Sequence, residues 1–237
     1  MIAEQYPTSG PIRIVIRHRV GPVELTASAT ETVEVRVDGP DADDYTVDFS
    51  AGILTVKAPP MADRWLRPRD VAVTIAAPEG SQLDVESGAG SVNVHGAFGS
   101  STLHTGAGNI AIDQVCADTT LETGAGRVRL GTVSAKTKLH LGAGNTDVDE
   151  LSGDLTVASG AGALNVARAL RGTLSFESAA GNVTIGVPAG TPTWTKLHTL
   201  MGHVDSSLPP VGEPPEGADH LELRIQTVTG NIALQPA

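Results

Sequence analysis

Aromatic residues are scarce in this sequence, which has three Phe, two Tyr and two Trp, or 3% of its 237 residues. Because 40% of the residues are hydrophobic all the same, the core must consist of Val, Leu, Ile and Ala, which suits a narrow interior. Cys116 is the only cysteine, so an intrachain disulfide is excluded. No apolar run approaches the roughly 18–20 residues that a membrane-spanning helix needs.

Basic residues are also few, since 16 Lys and Arg stand against 27 Asp and Glu, a formal net charge of −11. A surface this acidic repels phosphate backbones, which argues against a nucleic-acid partner. The first residues lack the basic stretch and the apolar stretch of a secretory signal. We therefore expect a soluble, cytoplasmic chain without a membrane span.

Glycine, in contrast, is abundant and regularly spaced, with 27 residues in the chain. The tripeptide Gly-Ala-Gly occurs five times at a step of 18 residues, and a sixth, altered copy follows one residue late at 179–181. Glycine is favoured where a chain turns at low steric cost, and we expect a positive φ at one glycine of each marker. The five copies are 88–90, 106–108, 124–126, 142–144 and 160–162.

Alternating apolar residues flank each marker. Pairs such as Val92 and Val94 or Ile110 and Ile112 follow it, and single positions such as Leu103 precede it. Period-two alternation predicts half-buried strands. One unit cannot bury its own apolar positions, whereas stacked units share a continuous core. The predicted fold is therefore all-β, a single-stranded β-solenoid (β-helix-like) with 18-residue coils stacked about 4.8 Å apart.

The segments before residue 80 also alternate, but they carry no marker. We expect residues 1–80 to form N-terminal β-strand coils or a cap, atypical as terminal repeats usually are. Residues 81–237 are expected to form the Gly-Ala-Gly solenoid. No convincing linker separates the two parts, so one continuous domain is expected, with residue 80 as the best position for a boundary.

The repeat units resemble a known bacterial family of β-strand repeats, the "putative adhesin" domains of unknown function called toastrack repeats. The resemblance covers the whole chain and is closest to soluble actinobacterial members. It implies the solenoid fold but no agreed biochemical activity. Relatives typically have Ser-Gly-Asp-Val at the marker, so this chain lacks their recurring Asp and no role of that Asp is transferred. The units that carry the resemblance are SGAGSVNV, TGAGNIAI, TGAGRVRL, LGAGNTDV, SGAGALNV and SAAGNVTI.

Neither ligand-binding motif that the marker could suggest fits the sequence. A dinucleotide fingerprint needs a third glycine and a following helix, whereas a strand pattern follows here. A calcium-binding β-roll needs an Asp two residues after a glycine in every unit, and that position is apolar at Val92 and Ile110. Gly-x-Ser-x-Gly, His-Glu-x-x-His and Cys-x-x-Cys do not occur. We therefore expect no catalytic residue, no cofactor and no metal site, and we predict that the chain is not an enzyme.

One candidate surface is a column that lies two residues before successive markers, formed by Glu86, His104, Glu122 and His140. Stacking of the coils places these side chains side by side. The column could hold a divalent metal or polarise a substrate. The alternative is that alternating signs merely avoid like charges on neighbouring strands.

A second candidate surface is the only basic, aromatic segment, which contains Arg64, Trp65, Arg67 and Arg69. It is either a loop that docks an anionic partner or a solvated connection between strands.

These features favour a non-enzymatic structural or protein-interaction scaffold with a flat solenoid face. The expected partner is an unknown protein, or a second copy that joins through the solenoid ends, where strand edges are open. The alternative is a polysaccharide-binding or adhesin-like β-helix, although the scarcity of aromatic rings argues against a sugar platform. A metal-binding or carbohydrate-active protein ranks below both, with the Glu86–His140 column as its only candidate site.

Overall fold

A computed structural model describes residues 1–60, 69–207 and 220–237. These residues form 23 strands and one short 3₁₀ helix at 42–44. The strands are β1 (Ile2–Pro7), β2 (Arg13–Val20), β3 (Val23–Ser28), β4 (Thr32–Asp38), β5 (Thr46–Ser50), β6 (Ile53–Lys57), β7 (Ala72–Pro78), β8 (Gln82–Ala89), β9 (Val92–Ala97), β10 (Ser101–Ala107), β11 (Ile110–Val115), β12 (Thr119–Ala125), β13 (Val128–Val133), β14 (Thr137–Ala143), β15 (Thr146–Leu151), β16 (Leu155–Ala161), β17 (Leu164–Ala169), β18 (Gly172–Ala180), β19 (Val183–Val187), β20 (Thr193–Met201), β21 (Val204–Ser206), β22 (Leu221–Thr229) and β23 (Ile232–Pro236).

The strands form two sheets, and each coil of the repeat gives one strand to each sheet. Sheet A has twelve strands in the order β1-β4-β7-β3-β9-β11-β13-β15-β17-β19-β23-β21. Sheet B has eleven strands in the order β20-β22-β18-β16-β14-β12-β10-β8-β2-β6-β5. The predicted all-β solenoid is confirmed. It has two faces, a number that the alternation of apolar residues did not define.

Parallel pairing in the repeat follows the 18-residue step. Leu103 pairs with Leu121, and Leu121 pairs with Leu139. The step lengthens to 19 residues where Val157 pairs with Phe176, which matches the late sixth copy. All five of these side chains are at most 1% exposed. One continuous aliphatic column with a single Phe thus runs through the middle of the stack.

The second glycine of each marker is required for two reasons. Its φ is positive in every copy, for example +149° at Gly126 and +145° at Gly144, as the sequence predicted. A Cβ on Gly126 would lie 1.9 Å from the carbonyl oxygen of Gly108 in the neighbouring coil, and one on Gly144 would lie 1.7 Å from that of Gly126. Only a residue without a side chain permits this approach of backbone to backbone.

A hydroxyl precedes most of the markers; in some coils it binds the turn, and in others it has no hydrogen-bond partner among the described residues. The Thr123 hydroxyl donates to the carbonyl of Ala125 at 3.3 Å, and the Ser178 hydroxyl donates to that of Ala180 at 3.2 Å. Thr227 repeats the arrangement with the carbonyl of Thr229 at 3.3 Å. Leu141 occupies the same column without a hydroxyl, so the bond supports the turn but is not needed in every coil.

The N-terminal strands extend both sheets and close one end of the core. The coil formed by β2 and β3 lies between β8–β9 and β6–β7, with which it pairs in parallel. Outside it, β1, β4 and β5 pair in antiparallel fashion. The rings of Tyr6 and Phe49 stack at the end with centroids 5.1 Å apart. The division into 1–80 and 81–237 remains a proposal, because strands from both parts share the same sheets.

Strand order and chain order also differ at the C-terminal end. The coil of β22 and β23 lies between β18–β19 and β20–β21. The last coil of the chain is therefore sandwiched, and the preceding coil is outermost. Among the described residues, β20 is the end strand of sheet B and β21 is that of sheet A.

Candidate interaction face on sheet B

The predicted column of Glu86, His104, Glu122 and His140 is a straight row on the outer face of sheet B. His104 pairs in register with Glu86 on one side and with Glu122 on the other, and Glu122 pairs with His140. The row continues through Ala158. The repeat length placed these residues correctly because a constant step of 18 keeps one residue of each coil on one line.

Two polar contacts hold the row in place. His104 Nδ1 lies 3.1 Å from Glu122 Oε2, and Glu86 Oε2 lies 3.2 Å from Arg17 Nε of β2. The side chains of His104 and Glu122 are about half exposed, at 52% and 51%. The contact between His104 and Glu122 stabilises neighbouring coils modestly, and the exposed heads stay open to solvent.

A shallow groove of about 720 Å³ lies beside the row. Its floor is the column of first marker glycines, including Gly124, Gly142 and Gly160. A Cβ on Gly142 would lie 2.4 Å from the carbonyl oxygen of Gly124, so close coil spacing alone explains these glycines. Because glycine has no side chain, this column still leaves a trough several coils long. The row of His104, Glu122, His140 and Glu177 also lines it, as do the apolar Leu141 and Val228.

A polar cluster on the outer face of sheet A was not predicted from the sequence. His95 Nδ1 lies 2.9 Å from Asp113 Oδ2, and His95 Nε2 lies 3.6 Å from Glu24 Oε2. Asn93 Nδ2 donates to Glu24 Oε1 at 2.5 Å. The hydrogen bond to Asp113, with the nearby charge of Glu24, raises the pKa of His95. The 18-residue step links His95 to Asp113, but only the N-terminal strand order brings Glu24 to them.

The raised pKa of His95 gives a pH-dependent contribution to stability. The ordinary histidine pKa of about 6.5 applies to the unfolded chain. The contribution is therefore complete below that pH and is lost as the pH rises through the folded-state pKa.

We expect His95→Gln to lower the free energy of unfolding at pH 5, by less than about 1 kcal/mol because the pair is half exposed, and to have little effect at pH 8.5. Urea unfolding at the two pH values tests this, and Asp113→Asn should give the same pattern. An equal loss at both pH values would contradict the assignment.

The second candidate surface falls largely outside the described part of the chain. Arg64, Trp65 and Arg67 lie outside the described residues, and Arg69 is exposed. Its role as a docking loop stays a prediction.

The described ranges 1–60, 69–207 and 220–237 lack two features. These ranges contain no group of three or more His, Cys, Asp or Glu side chains placed to hold a metal ion. They also contain no helix of the length and hydropathy needed to cross a membrane. The row on sheet B is consistent with the first finding, because its side chains run in parallel and do not converge.

The sequence and the fold were compared with known proteins. The sequence profile of the family described as Toastrack DUF4097 matches residues 12–235. None of the curated proteins matches the sequence. A crystal structure of a "putative adhesin" from Bacteroides fragilis superposes with a TM-score of 0.59 at 14% identity, covering 98% of this chain and 96% of that one. At this identity the similarity establishes the fold alone.

Two further solved structures match over nearly full length with lower scores. A "putative cell adhesion protein" from Clostridium sporogenes gives a TM-score of 0.35 at 10% identity, covering 100% of this chain and 99% of that one. A "putative lipid binding protein" from Parabacteroides distasonis gives 0.41 at 12% identity, with 97% and 96% covered. The actinobacterial subtype stays an expectation.

Proposed function

The chain belongs to the Toastrack DUF4097 family, and on that premise we propose that it is a non-enzymatic interaction scaffold that docks a linear polypeptide segment in the groove of sheet B. The family and the fold support a non-catalytic protein. The absence of any enzymatic activity, a cytoplasmic location and the identity of the partner are parts of the proposal.

The observation that carries the proposal is the combination of a side-chain-free floor with a charged wall. The glycines leave a trough of about 720 Å³ into which a chain of modest width fits. Along one wall, His104 and Glu122 present a donor and an acceptor on successive coils, about 4.8 Å apart. Val228, which is 42% exposed, offers an apolar contact beside them. A peptide that alternates polar and apolar residues meets both kinds of surface.

The alternative is a polysaccharide-binding or adhesin-like β-helix; the Bacteroides fragilis structure is named a "putative adhesin". No Phe, Tyr or Trp side chain lies among the described residues that line the groove. Aromatic rings supply large, rigid contact surfaces in binding sites, and their absence favours a peptide over a sugar here.

Selection from a library of linear peptides tests the proposal. We expect purified protein to enrich peptides whose affinity falls at least tenfold in Glu122→Lys. The matched control is Asp149→Lys on sheet A, because Asp149 is similarly exposed and also forms one ion pair between coils, with Arg129 at 3.3 Å. The control should bind within twofold of the unchanged protein. Equal loss in both variants, or no enriched peptide, would contradict a groove on sheet B. Hits on a glycan array that depend on Glu122 would identify the polysaccharide class instead.

A further inference from the structure

The two ends of the solenoid differ in how their strand edges are protected. At the N-terminal end, the edge strands β1 and β5 have six and five residues, and β1 ends at Pro7. Glu4 of β1 pairs with the buried Val35, which places its carboxylate on the inward side of the edge. Short strands, proline and inward charge are the features that prevent one sheet edge from joining another.

In sheet B the C-terminal end lacks these features among its described residues, whereas β21, the edge strand of sheet A, is only three residues long and carries Asp205. The edge strand β20 has nine residues, and its inward positions 193, 195, 197 and 199 hold Thr, Thr, Leu and Thr. Large exposed hydrophobic side chains gather here: Leu200 is 67% exposed, Met201 64% and Val204 46%. The strand carries Lys196 and His198 and no carboxylate, in a chain whose net charge is −11. It is thus a place where two copies of this acidic protein meet without carboxylate repulsion.

Among the described residues, no strand pairs with the far side of β20, so its backbone groups there are available for pairing. The carbonyl of Pro192 accepts a hydrogen bond from the Leu221 amide, which fixes the side that faces β22. Because successive residues of a strand direct their backbone groups to opposite sides, the amides and carbonyls of Thr195, Leu197 and Thr199 point to the open edge.

We propose that two copies join edge to edge through β20, as an antiparallel pair with its two-fold axis at Leu197. In this register Trp194 faces Leu200 of the second copy, and Thr195 faces Thr199 of the second copy, which are favourable cross-strand pairs. Inward residues face inward residues, so both cores stay shielded. Lys196 faces His198 of the second copy on the solvated outer side, where charge repulsion is weak.

The contact area suits a weak, concentration-dependent dimer. The nine-residue β20 is about 30 Å long, whereas β21, the edge strand of sheet A, has three residues and is about 10 Å long. With each sheet about 10 Å deep, the joined ends bury on the order of 800 Å² in total, which is the size of a transient contact, so dimerisation is expected at high concentration. The protected N-terminal ends leave the assembly closed at two copies.

Light scattering and sedimentation of the full chain with edge variants test the dimer. We expect twice the chain mass at high concentration. Thr195→Pro removes a free amide on the open side only, so it should give a monomer, whereas Thr195→Val keeps the amide and should dimerise normally. Leu200→Glu provides a second test at an exposed position, with at least tenfold weaker dimerisation expected. Circular dichroism establishes that each variant is folded.

Three outcomes would overturn the proposal. They are a monomer at every concentration, a mass that keeps growing as in a head-to-tail filament, or a folded Thr195→Pro variant that still dimerises. Glu122→Lys should dimerise like the unchanged protein, so failure of the groove and failure of the dimer are distinguishable.

Discussion

Replacing Gly144 by Ala is expected to cost more than about 4 kcal/mol of unfolding free energy, among the largest losses for one substitution. The added Cβ would lie 1.7 Å from the carbonyl oxygen of Gly126 and 2.8 Å from its carbonyl carbon. Neither coil can retreat, because the Gly144 amide binds the Ala161 carbonyl at 2.9 Å and the Gly126 amide binds the Ala143 carbonyl at 3.1 Å. The strain must therefore spread through the stack.

Gly10→Ala is the matched control for this effect. Gly10 has a φ of +158°, close to that of Gly144, but no atom lies within 4 Å of a Cβ built on it. Its replacement therefore measures the backbone cost alone, about 1–3 kcal/mol. Urea unfolding followed by far-ultraviolet circular dichroism gives both values. If the two substitutions cost the same, backbone contact between coils is not the reason for the marker.

The repeat step explains which parts of the molecule were predictable. Within the marker region, residue i lies beside residue i+18, so the row from Glu86 to His140 followed from counting alone. The same count links His95 to Asp113. This pair follows the marker, and the predicted column precedes it. Alternation identifies inward residues but does not fix the angle between consecutive strands, so it left the number of faces open.

The ends were not predictable in this way. The segments before residue 80 carry no marker, and nothing in their alternation shows that β2 and β3 lie between β6–β7 and β8–β9. At both ends of the stack, the order of the coils in space therefore differs from their order in the chain, because one coil is inserted between two others. Glu24 reaches His95 only through this insertion, and β20 becomes the outer edge only because β22 is inserted beneath it.

The marker glycines connect the architecture to the proposed function. They are present because neighbouring backbones approach too closely for a Cβ, which is a requirement of the fold. The groove on sheet B is a consequence of that requirement, since a column of glycines leaves no side chains on its floor. Specificity must then come from the neighbouring column, where the side chain is free to vary from coil to coil, as it does at His104, Glu122, His140 and Ala158.

Removal of one whole coil is expected to leave a folded protein. Deletion of residues 119–136 joins Asp118 to Thr137, which occupies the position of Thr119 one coil later. Leu103 would then face Leu139 directly, and Ile110 would face Thr146, each in the present register. Because solenoid stability is roughly the sum of coils and their contacts, the variant should unfold cooperatively with a lower unfolding free energy and a smaller urea m-value.

Deletion of residues 119–127 alone is the control, and it is expected to prevent folding. The shift of nine residues keeps Val128 and Leu130 inward, in the places of the buried Thr119 and Leu121. It nevertheless exchanges the strands of the two sheets and puts Ala135 in the place of Gly126, where a Cβ would lie 1.9 Å from the carbonyl oxygen of Gly108. Circular dichroism and urea unfolding distinguish the two deletions. Loss of folding in both, or tolerance of both, would contradict an interchangeable 18-residue coil. The whole-coil deletion also removes Glu122 and brings His104 beside His140, so the same variant should lose peptide binding in the groove while it keeps the dimer edge at β20.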